Sequence, residues 1–390
     1  MHVVLAGQSG TGHVYPLLSL ADALRAAGHR VSFATTADLV PWLNELGYRA
    51  APVGQTIRWA LAQVQARSPE LTSDLPPRKA WRLDAELFAD ALPRSTTPDL
   101  VELLSALRPD LVVYESTAFG AVLAAAEVGL PVVCLDLWAV GRWHVDRGEL
   151  EGRVRAVWAD RTGAPLRVDP ISGMAHLDPA PAALRTADDH DRTRLEMRQL
   201  SWGDPALSLS PWVSSERSRP LVYLTLGTVG WGTVEVLQEC LSGLIALPVD
   251  VLVAVGAYFD PADLGPLPAS VHVERFVRQD LLLGEMTPAV HHGGSGTLLG
   301  AAAHGVPQLV MPMGADQFQN AEALVRSGAG LALSHGGVAA QTVRDGVLEL
   351  LEEPRYRTSA GELRSEIQAM PTPAAIIPRL VGAGRFTGLG

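Results

Sequence analysis

The sequence predicts an α/β protein built from two doubly wound domains that face each other across a cleft. In both halves of the chain, short apolar runs alternate with helical stretches, which is typical of parallel strands joined by crossover helices. The chain has 390 residues, of which 47% are hydrophobic, and this length exceeds one ordinary core. Sheets of this kind bind ligands at the carboxyl ends of their strands. We therefore expect the functional site in the cleft.

The first half begins with this alternation. Apolar runs predict buried strands at residues 3–6, 31–35, 111–114 and 132–135. Helices are predicted between them at residues 16–27, 38–46 and 118–128. Gly28 and Gly47 stand where the first two helices should end.

Two long segments interrupt the alternation, at residues 55–91 and 138–203. Both are rich in Trp, Pro and Arg, and their aromatic residues include Trp59, Trp81, Phe88, Trp138, Trp143 and Trp158. Long insertions in a regular α/β frame usually carry function. We expect them to cover the sheet and also to supply aromatic side chains to an apolar pocket.

The second half repeats the pattern after a proline- and serine-rich linker. Strands are predicted at residues 221–226, 251–255, 271–274, 289–291 and 308–311, and helices at residues 298–304, 317–326 and 374–381. The predicted organisation is an N-terminal domain over residues 1–203, a linker over 204–220 and a C-terminal domain over 221–373. A last segment, residues 374–390, is expected to pack back on the N-terminal domain.

Composition excludes several classes of protein. The formal net charge is −11, from 31 basic and 42 acidic residues, which argues against nucleic acid and anionic membranes as partners. Cys134 and Cys240 suggest neither a disulfide framework nor a metal site. No apolar run reaches the roughly 20 residues of a membrane span, and no signal peptide is predicted. We expect a cytoplasmic protein, and the sequence leaves its oligomeric state open, a homodimer included.

The most informative motif is H-H-G-G-S-G-T at residues 291–297, between a predicted strand and a small-residue helix. Glycines let backbone N–H groups approach a ligand closely, and a helix start offers unpaired N–H groups with partial positive charge. The motif therefore predicts a phosphate site, with Ser295, Thr297 and the His291 ring as further donors. The alternative is a turn that only packs a helix close to a sheet.

A second glycine-rich turn follows the first predicted strand, at residues 7–13. The dinucleotide pattern G-x-G-x-x-G fails there because Tyr15 stands at its third glycine position. His13 is a candidate general base; the alternative role is a helix cap or a hydrogen bond to a backbone carbonyl. A base needs an orienting partner. Glu115 ends a neighbouring strand at the same cleft, and Asp136, at the end of the next strand, is the second choice.

Two loops of the second half carry residues suited to a sugar and to a nucleobase. Asp316 and Gln317 are adjacent hydrogen-bonding groups that suit neighbouring sugar hydroxyls, although Asp316 is also a good helix N-cap. Phe276 is suited to stacking on a base, and Gln279 to bonding the base or the pentose; the alternative is ordinary loop packing.

Two further patterns are disfavoured. The acidic cluster at residues 188–191 resembles a metal site, but arginines surround it and a solvated face is the favoured interpretation. We therefore expect no bound metal. Residues 293–297 resemble the nucleophile elbow G-x-S-x-G, but Thr297 replaces its last glycine. A serine hydrolase is correspondingly disfavoured.

Taken together, these motifs resemble the GT-B nucleotide-sugar glycosyltransferases, specifically the bacterial branch that glycosylates macrolides, enediynes and aromatic polyketides. The resemblance spans nearly the whole chain. Its strings are G-T-G-H-V-Y-P-L-L, R-P-D-L-V-V-Y-E, L-V-Y-L-T-L-G-T, H-H-G-G-S-G-T and D-Q-F-Q-N-A. It implies two Rossmann-like domains across a cleft and an inverting, metal-independent transfer of a sugar to a hydroxyl of an apolar aglycone in antibiotic biosynthesis.

The resemblance also implies roles for individual residues. His13 corresponds to the general base, and Glu115 to its partner, which is usually Asp. The implied donor-binding residues are Gly12, Gly227, Thr228, Phe276, Val277, Gln279, His291, Gly293, Ser295, Gly296, Thr297, Asp316 and Gln317. The segment at residues 276–279 departs from the W-x-P-Q of relatives, with Phe for Trp and Arg278 for Pro. The implied acceptor pocket draws on Trp59, Phe88, Trp138 and Trp143.

The donor implied by the resemblance is a TDP-sugar. Relatives that use UDP-sugars often carry Glu two residues after the threonine of the motif, to hold ribose hydroxyls, and Leu299 stands there in this chain. An apolar side chain cannot satisfy a ribose 2′-hydroxyl, so a thymidine diphosphate donor is favoured. No cofactor or metal is expected besides this co-substrate.

Several alternatives stay open. Within the same fold these are a UDP-sugar donor, a C-glycosyltransferase, an epimerase or phosphorylase, and a non-catalytic nucleotide-sugar-binding protein. A nicotinamide oxidoreductase would share the two-domain architecture but lacks the dinucleotide fingerprint.

Overall fold

The structure is a computed structural model that describes residues 1–72, 77–140, 146–185, 193–213, 216–227, 233–257, 259–334 and 336–384. It contains two parallel sheets with helices on both faces, so the predicted α/β class is confirmed. The acidic cluster at residues 188–191, together with Trp143 and Thr228, lies outside the described residues.

The first sheet has seven strands in the order β3-β2-β1-β4-β5-β6-β7, all paired in parallel. They are β1 His2–Ala6, β2 Arg30–Thr35, β3 Arg49–Pro52, β4 Leu111–Glu115, β5 Val132–Leu135, β6 His176–Asp178 and β7 Arg194–Glu196. Alternate residues of β1 and β4 enter two separate core clusters: Val4 and Val112 in one, Leu5 and Val113 in the other. The sheet is therefore covered on both faces, which explains its continuous apolar runs.

The helices of this half follow the strands. They are α1 Thr11–Ala26, α2 Val40–Glu45, α3 Ile57–Arg67, α4 Pro77–Glu86, α5 Leu92–Leu107, α6 Phe119–Val128 and α7 Arg147–Thr162. One turn of π-helix, Leu87–Ala91, joins α4 to α5, and a 3₁₀ turn at Ala182–Leu184 lies between β6 and β7.

The second sheet has six parallel strands in the order β10-β9-β8-β11-β12-β13. They are β8 Leu221–Thr225, β9 Asp250–Ala254, β10 Val271–Glu274, β11 Ala289–His291, β12 Gln308–Val310 and β13 Gly330–Ala332. The helices are α8 Val234–Ile245, α9 Gln279–Leu282, α10 Ser295–Ala303, α11 Gln317–Ser327, α12 Ala340–Glu352, α13 Pro354–Ala369 and α14 Pro373–Gly384. Short 3₁₀ turns occur at Pro261–Leu264 and Leu283–Glu285.

Several contacts join the two halves. Leu184 of the first half is fully buried among residues of α11 and α13, and Arg326 donates a hydrogen bond to its carbonyl at 3.0 Å. Ile376 and Leu380 of α14 pack in the same cluster as Leu17 of α1. The two halves are thus joined both by the cluster that contains Leu184 and by the packing of α14 on α1.

Two helices begin earlier than predicted, and both differences concern the site. The helix predicted from residue 16 begins at Thr11, so Gly12 and His13 lie in its first turn. The helix predicted from residue 298 begins at Ser295, which brings the serine and Thr297 into its first turn. Within the described ranges, no helix combines the length and the apolar character needed to cross a membrane.

Candidate active site

His13 and Glu115 meet at the carboxyl edge of the first sheet. β1 and β4 are parallel neighbours, so the turn that leads from β1 into α1 lies beside the end of β4. Gly10, with φ of 100°, makes that turn, in a backbone region that favours glycine. His13 Nδ1 lies 3.2 Å from Glu115 Oε1. The His13 side chain is 20% exposed and the Glu115 side chain is fully buried.

The buried Glu115 carboxylate has a dense set of hydrogen-bond donors. It accepts from the backbone N–H groups of Gln8 at 3.2 Å and Thr117 at 2.8 Å. The Thr117 hydroxyl lies 2.7 and 2.9 Å from its two oxygens and 3.2 Å from His13 Nδ1. These donors compensate for burial of the carboxylate. Because the carboxylate accepts from Nδ1, it leaves the lone pair of the histidine on Nε2, the nitrogen available to a substrate.

The structure distinguishes between the two candidate partners of His13. Glu115 contacts His13 directly, whereas the Asp136 carboxylate lies 3.9 Å from His176 Nε2. Thr117 was not predicted as a site residue. Its position two residues after Glu115 was the available signal, because a short hydroxyl side chain there can reach back to the carboxylate.

The aromatic residues predicted for an acceptor pocket differ in their placement. Phe88 lies on the π-helical turn, with its ring centroid 5.9 Å from that of His13. Single π-helical turns are frequent at functional sites. Trp59 on α3 is 37% exposed. Trp138, by contrast, is buried in the core cluster that includes α1, so its predicted place in the acceptor pocket stays a prediction.

The glycine-rich loop that follows β11 is shaped by close approaches. Gly293 has φ of 93°, and a Cβ there would lie 2.6 Å from Val310 Cγ1. A Cβ on Gly294 would lie 2.4 Å from His292 Nε2. Glycine is therefore required at both positions. The loop ends at the first turn of α10, whose N–H groups at residues 295–297 have no partner within the helix.

The two histidines of the motif are buried beside the glycine-rich loop and contact its backbone. His291 is fully buried; its Nε2 donates to Gln308 Oε1 at 2.8 Å, and its Nδ1 accepts from the Gly293 N–H at 3.1 Å. Both ring nitrogens are thus engaged within the protein, and the predicted direct contact of His291 with a phosphate is wrong for this structure. Burial lowers the pKa of His291 to about 4, so the ring is neutral at neutral pH.

His292 was not predicted as a site residue, yet its ring occupies the centre of the loop. A Cβ on Gly227, whose φ is 83°, would lie 2.6 Å from His292 Cε1. The ring therefore separates the turn after β8 from the loop after β11. Burial lowers the pKa of His292 to about 3, and its Nδ1 has no hydrogen-bond partner among the described residues. With both rings neutral, neither histidine adds a positive charge to this loop, and backbone N–H dipoles are the remaining source of positive potential there.

Ser295, Asp316 and Asn320 form a hydrogen-bonded cluster beside the α10 terminus. Ser295 Oγ donates to Asp316 Oδ2 at 2.6 Å, and Asn320 Nδ2 donates to the same oxygen at 2.7 Å. Asn320 also donates to the Gly293 carbonyl at 2.9 Å. Asn320 belongs to the D-Q-F-Q-N-A motif, but the sequence analysis assigned it no role. Its hydrogen bond to Gly293 joins the glycine-rich loop to α11. Asp316 stands at the N-cap position of α11, as the alternative had it, but its side chain makes no cap hydrogen bond.

Three other residues predicted to bind the donor, Gln317, Gln279 and Phe276, differ in burial and in hydrogen-bond partners. Gln317 is 2% exposed, and its Oε1 accepts from the N–H groups of Met313 and Gly314. Gln279 Nε2 donates to the Tyr223 hydroxyl at 2.8 Å. Phe276 is 44% exposed and is free to stack on a base.

Three apolar or backbone positions complete the predicted set. Val277 packs against the core beside β8, and a Cβ on Gly12 would have no atom within 4 Å. Leu299, whose position carried the argument for a TDP donor, is 3% exposed and packs in one cluster with Ala139 and Val140. It offers no polar group to a ribose, and its side chain is almost entirely covered by protein.

The carboxyl edges of the two sheets meet at this point. Ala139 follows β5, the strand beside β4, and its N–H donates to Ser295 Oγ at 2.8 Å. The loop after β5 therefore contacts the start of α10 directly. The histidine–carboxylate pair, at the end of β4, and the glycine-rich loop, at the end of β11, thus lie at the two strand edges that this contact joins.

Comparison with known proteins agrees with this geometry. The family models for Erythromycin biosynthesis protein CIII-like proteins match residues 22–227 with their N-terminal domain and residues 238–383 with their C-terminal domain. TDP-daunosamine transferase DnrS of Streptomyces peucetius is 30% identical, over 97% of this chain and 96% of that protein. L-demethylnoviosyl transferase of Streptomyces niveus is 30% identical, over 99% of each chain.

A solved structure extends the comparison to the whole fold. The glycosyltransferase VinC in complex with DTDP superposes with a TM-score of 0.79 at 26% identity, covering 98% of this chain and 99% of that chain. The class is thereby established as that of the GT-B glycosyltransferases, which are enzymes that transfer sugar moieties. The chain belongs to the Erythromycin biosynthesis protein CIII-like family of bacterial natural-product glycosyltransferases.

Proposed function

We propose that this enzyme transfers a deoxysugar from a TDP-sugar to a hydroxyl group of an apolar natural-product aglycone, with inversion at the anomeric carbon and without a metal ion. The observation that carries the proposal is the 3.2 Å contact between His13 and the buried Glu115, in the same cleft as the α10 terminus. Relatives named as a TDP-daunosamine transferase and as a complex with DTDP support the choice of donor.

The proposed reaction is one in-line displacement. The acceptor oxygen forms a bond to the anomeric carbon while its proton passes to His13 Nε2. The bond from that carbon to the diphosphate oxygen breaks on the opposite face, and TDP leaves with the electron pair. Glu115 stabilises the positive charge that develops on His13, and general base catalysis of this kind contributes about 10²–10⁴-fold.

The leaving diphosphate requires electrostatic stabilisation. A helix terminus contributes only about 0.3–2 kcal/mol, so several directed hydrogen bonds must share this task. The N–H groups at residues 295–297 and the Thr297 hydroxyl are the candidates. Because both histidines of the loop are neutral at neutral pH, these donors are the proposed substitute for a divalent cation.

The experiment is a product assay with purified enzyme, a TDP-deoxysugar and a panel of hydroxylated polyketide aglycones, run with and without EDTA. We expect a product whose mass equals that of the aglycone plus the sugar minus water, formed equally fast with EDTA. Its anomeric configuration, measured by NMR coupling, should be opposite to that of the donor. Retained configuration would contradict the single displacement, and loss of product with EDTA would contradict metal independence.

A further inference from the structure

The linker between the two halves runs directly along the donor side of the cleft. A Cβ on Gly300 of α10 would lie 2.8 Å from Ser201 Oγ, and a Cβ on Gly296 would lie 4.0 Å from Gln199 Nε2. Residues 199–207 span the end of the first half and the start of the linker and pair with neither sheet. This extended segment, here called the linker strand, follows α10 from its first turn toward the loop that carries Phe276.

A single arginine joins that loop to the linker strand. The Arg278 guanidinium donates to both oxygens of Asp280, from Nε at 2.8 Å and from Nη2 at 2.6 Å. Its Nη1 lies 3.4 Å from the Asp204 carbonyl oxygen and 3.3 Å from that of Leu207. The Arg278 and Asp280 side chains are only 18% and 20% exposed. A bidentate pair with a planar fork is geometrically specific, so Asp280 fixes the orientation of the guanidinium, and the Nη1 contacts then join the loop to the linker strand.

The linker strand approaches this ion pair so closely that a side chain at Gly203 would displace it. A Cβ on Gly203 would lie 1.9 Å from Asp280 Oδ1 and 2.3 Å from Arg278 Nε. These distances are far below any real contact, so a methyl group there would push the pair away from the linker strand. The backbone of Gly203 thus completes the contact surface of the pair.

The loop at residues 275–278 is consequently held on two sides. Gln279, at its end, is bonded to Tyr223 of β8, and Arg278 is bonded to the linker strand. Between these anchors and β10, Phe276 presents a 44% exposed ring. Ordering a loop before a ligand arrives lowers the entropic cost of binding.

We propose that the Arg278–Asp280 pair is a positioning device that fixes the Phe276 platform for the nucleobase of the donor. Arg278 and Asp280 act through the loop and need not touch the nucleotide. The inference rests on the proposed function, because it assumes that the donor is a nucleoside diphosphate whose base lies against this loop. It assigns to the linker strand a part in donor affinity besides joining the two halves.

The test compares the binding of a ligand that carries a nucleobase with the binding of a ligand that consists of phosphates alone. Arg278→Ala and Gly203→Ala are titrated with TDP and, separately, with inorganic pyrophosphate, which reports only on the α10 terminus. We expect each substitution to raise the Kd of TDP about tenfold, the size of a positioning effect, and to leave the Kd of pyrophosphate unchanged. An ion pair that only stabilised the fold would not weaken TDP binding while leaving pyrophosphate binding unchanged.

Matched control variants come from the same chain. Arg344→Ala removes an exposed pair with Asp345, and Gly152→Ala adds a methyl group where nothing lies within 4 Å. Both controls should bind TDP like the parent enzyme. Gly203→Ala keeps every charged group, so it tests the inference even if Arg278→Ala fails to fold.

The outcomes are distinct. Unchanged TDP binding in both variants would overturn the inference, and so would an equal loss of TDP and pyrophosphate binding, which would indicate general damage. Titration of the parent enzyme tests the proposed function by itself. If the parent bound pyrophosphate but neither TDP nor UDP, the nucleotide donor would be wrong, and the inference would fall with it.

Discussion

Replacing His13 with alanine is expected to lower the turnover of sugar transfer to an alcohol by about 10²–10⁴-fold, the usual contribution of a general base. Nε2 of this histidine is the nitrogen left available by the Glu115 contact, and the methyl group of alanine cannot accept a proton. Donor binding should be nearly unchanged, because the α10 terminus lies across the cleft. The measurement is kcat with an alcohol acceptor, together with a calorimetric Kd for TDP.

His29→Ala is the matched control for His13→Ala. His29 precedes β2 at the opposite edge of the sheet, where its Nδ1 lies 3.3 Å from the amino terminus of Met1. This variant should keep the turnover of the parent. If His13→Ala transferred the sugar to an alcohol at the rate of the parent enzyme, the role of His13 as general base would be contradicted. A phenolate or carbon nucleophile should depend less on His13, because its proton is more acidic or already lost.

Glu115→Gln is expected to lower kcat by about 10²-fold, equivalent to roughly 2.7 kcal/mol of transition-state stabilisation. The carboxylate accepts from His13, from two backbone N–H groups and from the Thr117 hydroxyl. An amide presents an NH₂ group to some of these donors and carries no charge to stabilise a protonated His13. The comparison of kcat with the Kd of TDP locates the loss in the chemical step.

Two further variants sharpen this prediction. Asp136→Asn should retain most of the turnover, because its carboxylate faces His176 and not His13. Glu115→Asp keeps the charge but shortens the side chain by one methylene group, so intermediate activity is expected. A larger loss in Asp136→Asn than in Glu115→Gln would show that the orienting residue has been misassigned.

The sequence predicted the central strands because they are continuous apolar runs buried on both faces, as β1 and β4 show. It did not predict β3, β6, β7 or β13. These strands have three or four residues each, and several of their positions are polar or exposed. Their formation depends on pairing with a neighbouring strand, which local pattern does not reveal.

Helix starts were the weaker part of the local prediction. α1 begins at Thr11 although its N-cap is Gly10 and no side chain caps it. Pro16 suits a first helical turn, yet in the structure it lies inside α1. α10 likewise starts after Gly294 without a side-chain cap. At both sites the open N-terminus places N–H groups or His13 at the cleft, where a capping side chain would obstruct them.

The sequence predicted which residue types form the candidate site, but it did not predict the role of each residue. Strand ends and glycine-rich turns located the His13 and α10 sides of the cleft. The sequence did not show that His291 is buried against Gln308, or that Thr117 and Asn320 support the site. These roles depend on contacts between residues distant in sequence, which only the three-dimensional arrangement supplies.

The most direct test of the account is calorimetric titration of the purified protein with TDP, UDP and NAD, each with and without EDTA. We expect TDP to bind more tightly than UDP, EDTA to change neither affinity, and NAD not to bind. UDP preference would leave the fold in place but remove the argument from Leu299. Binding of NAD alone would contradict a nucleotide-sugar site in this cleft.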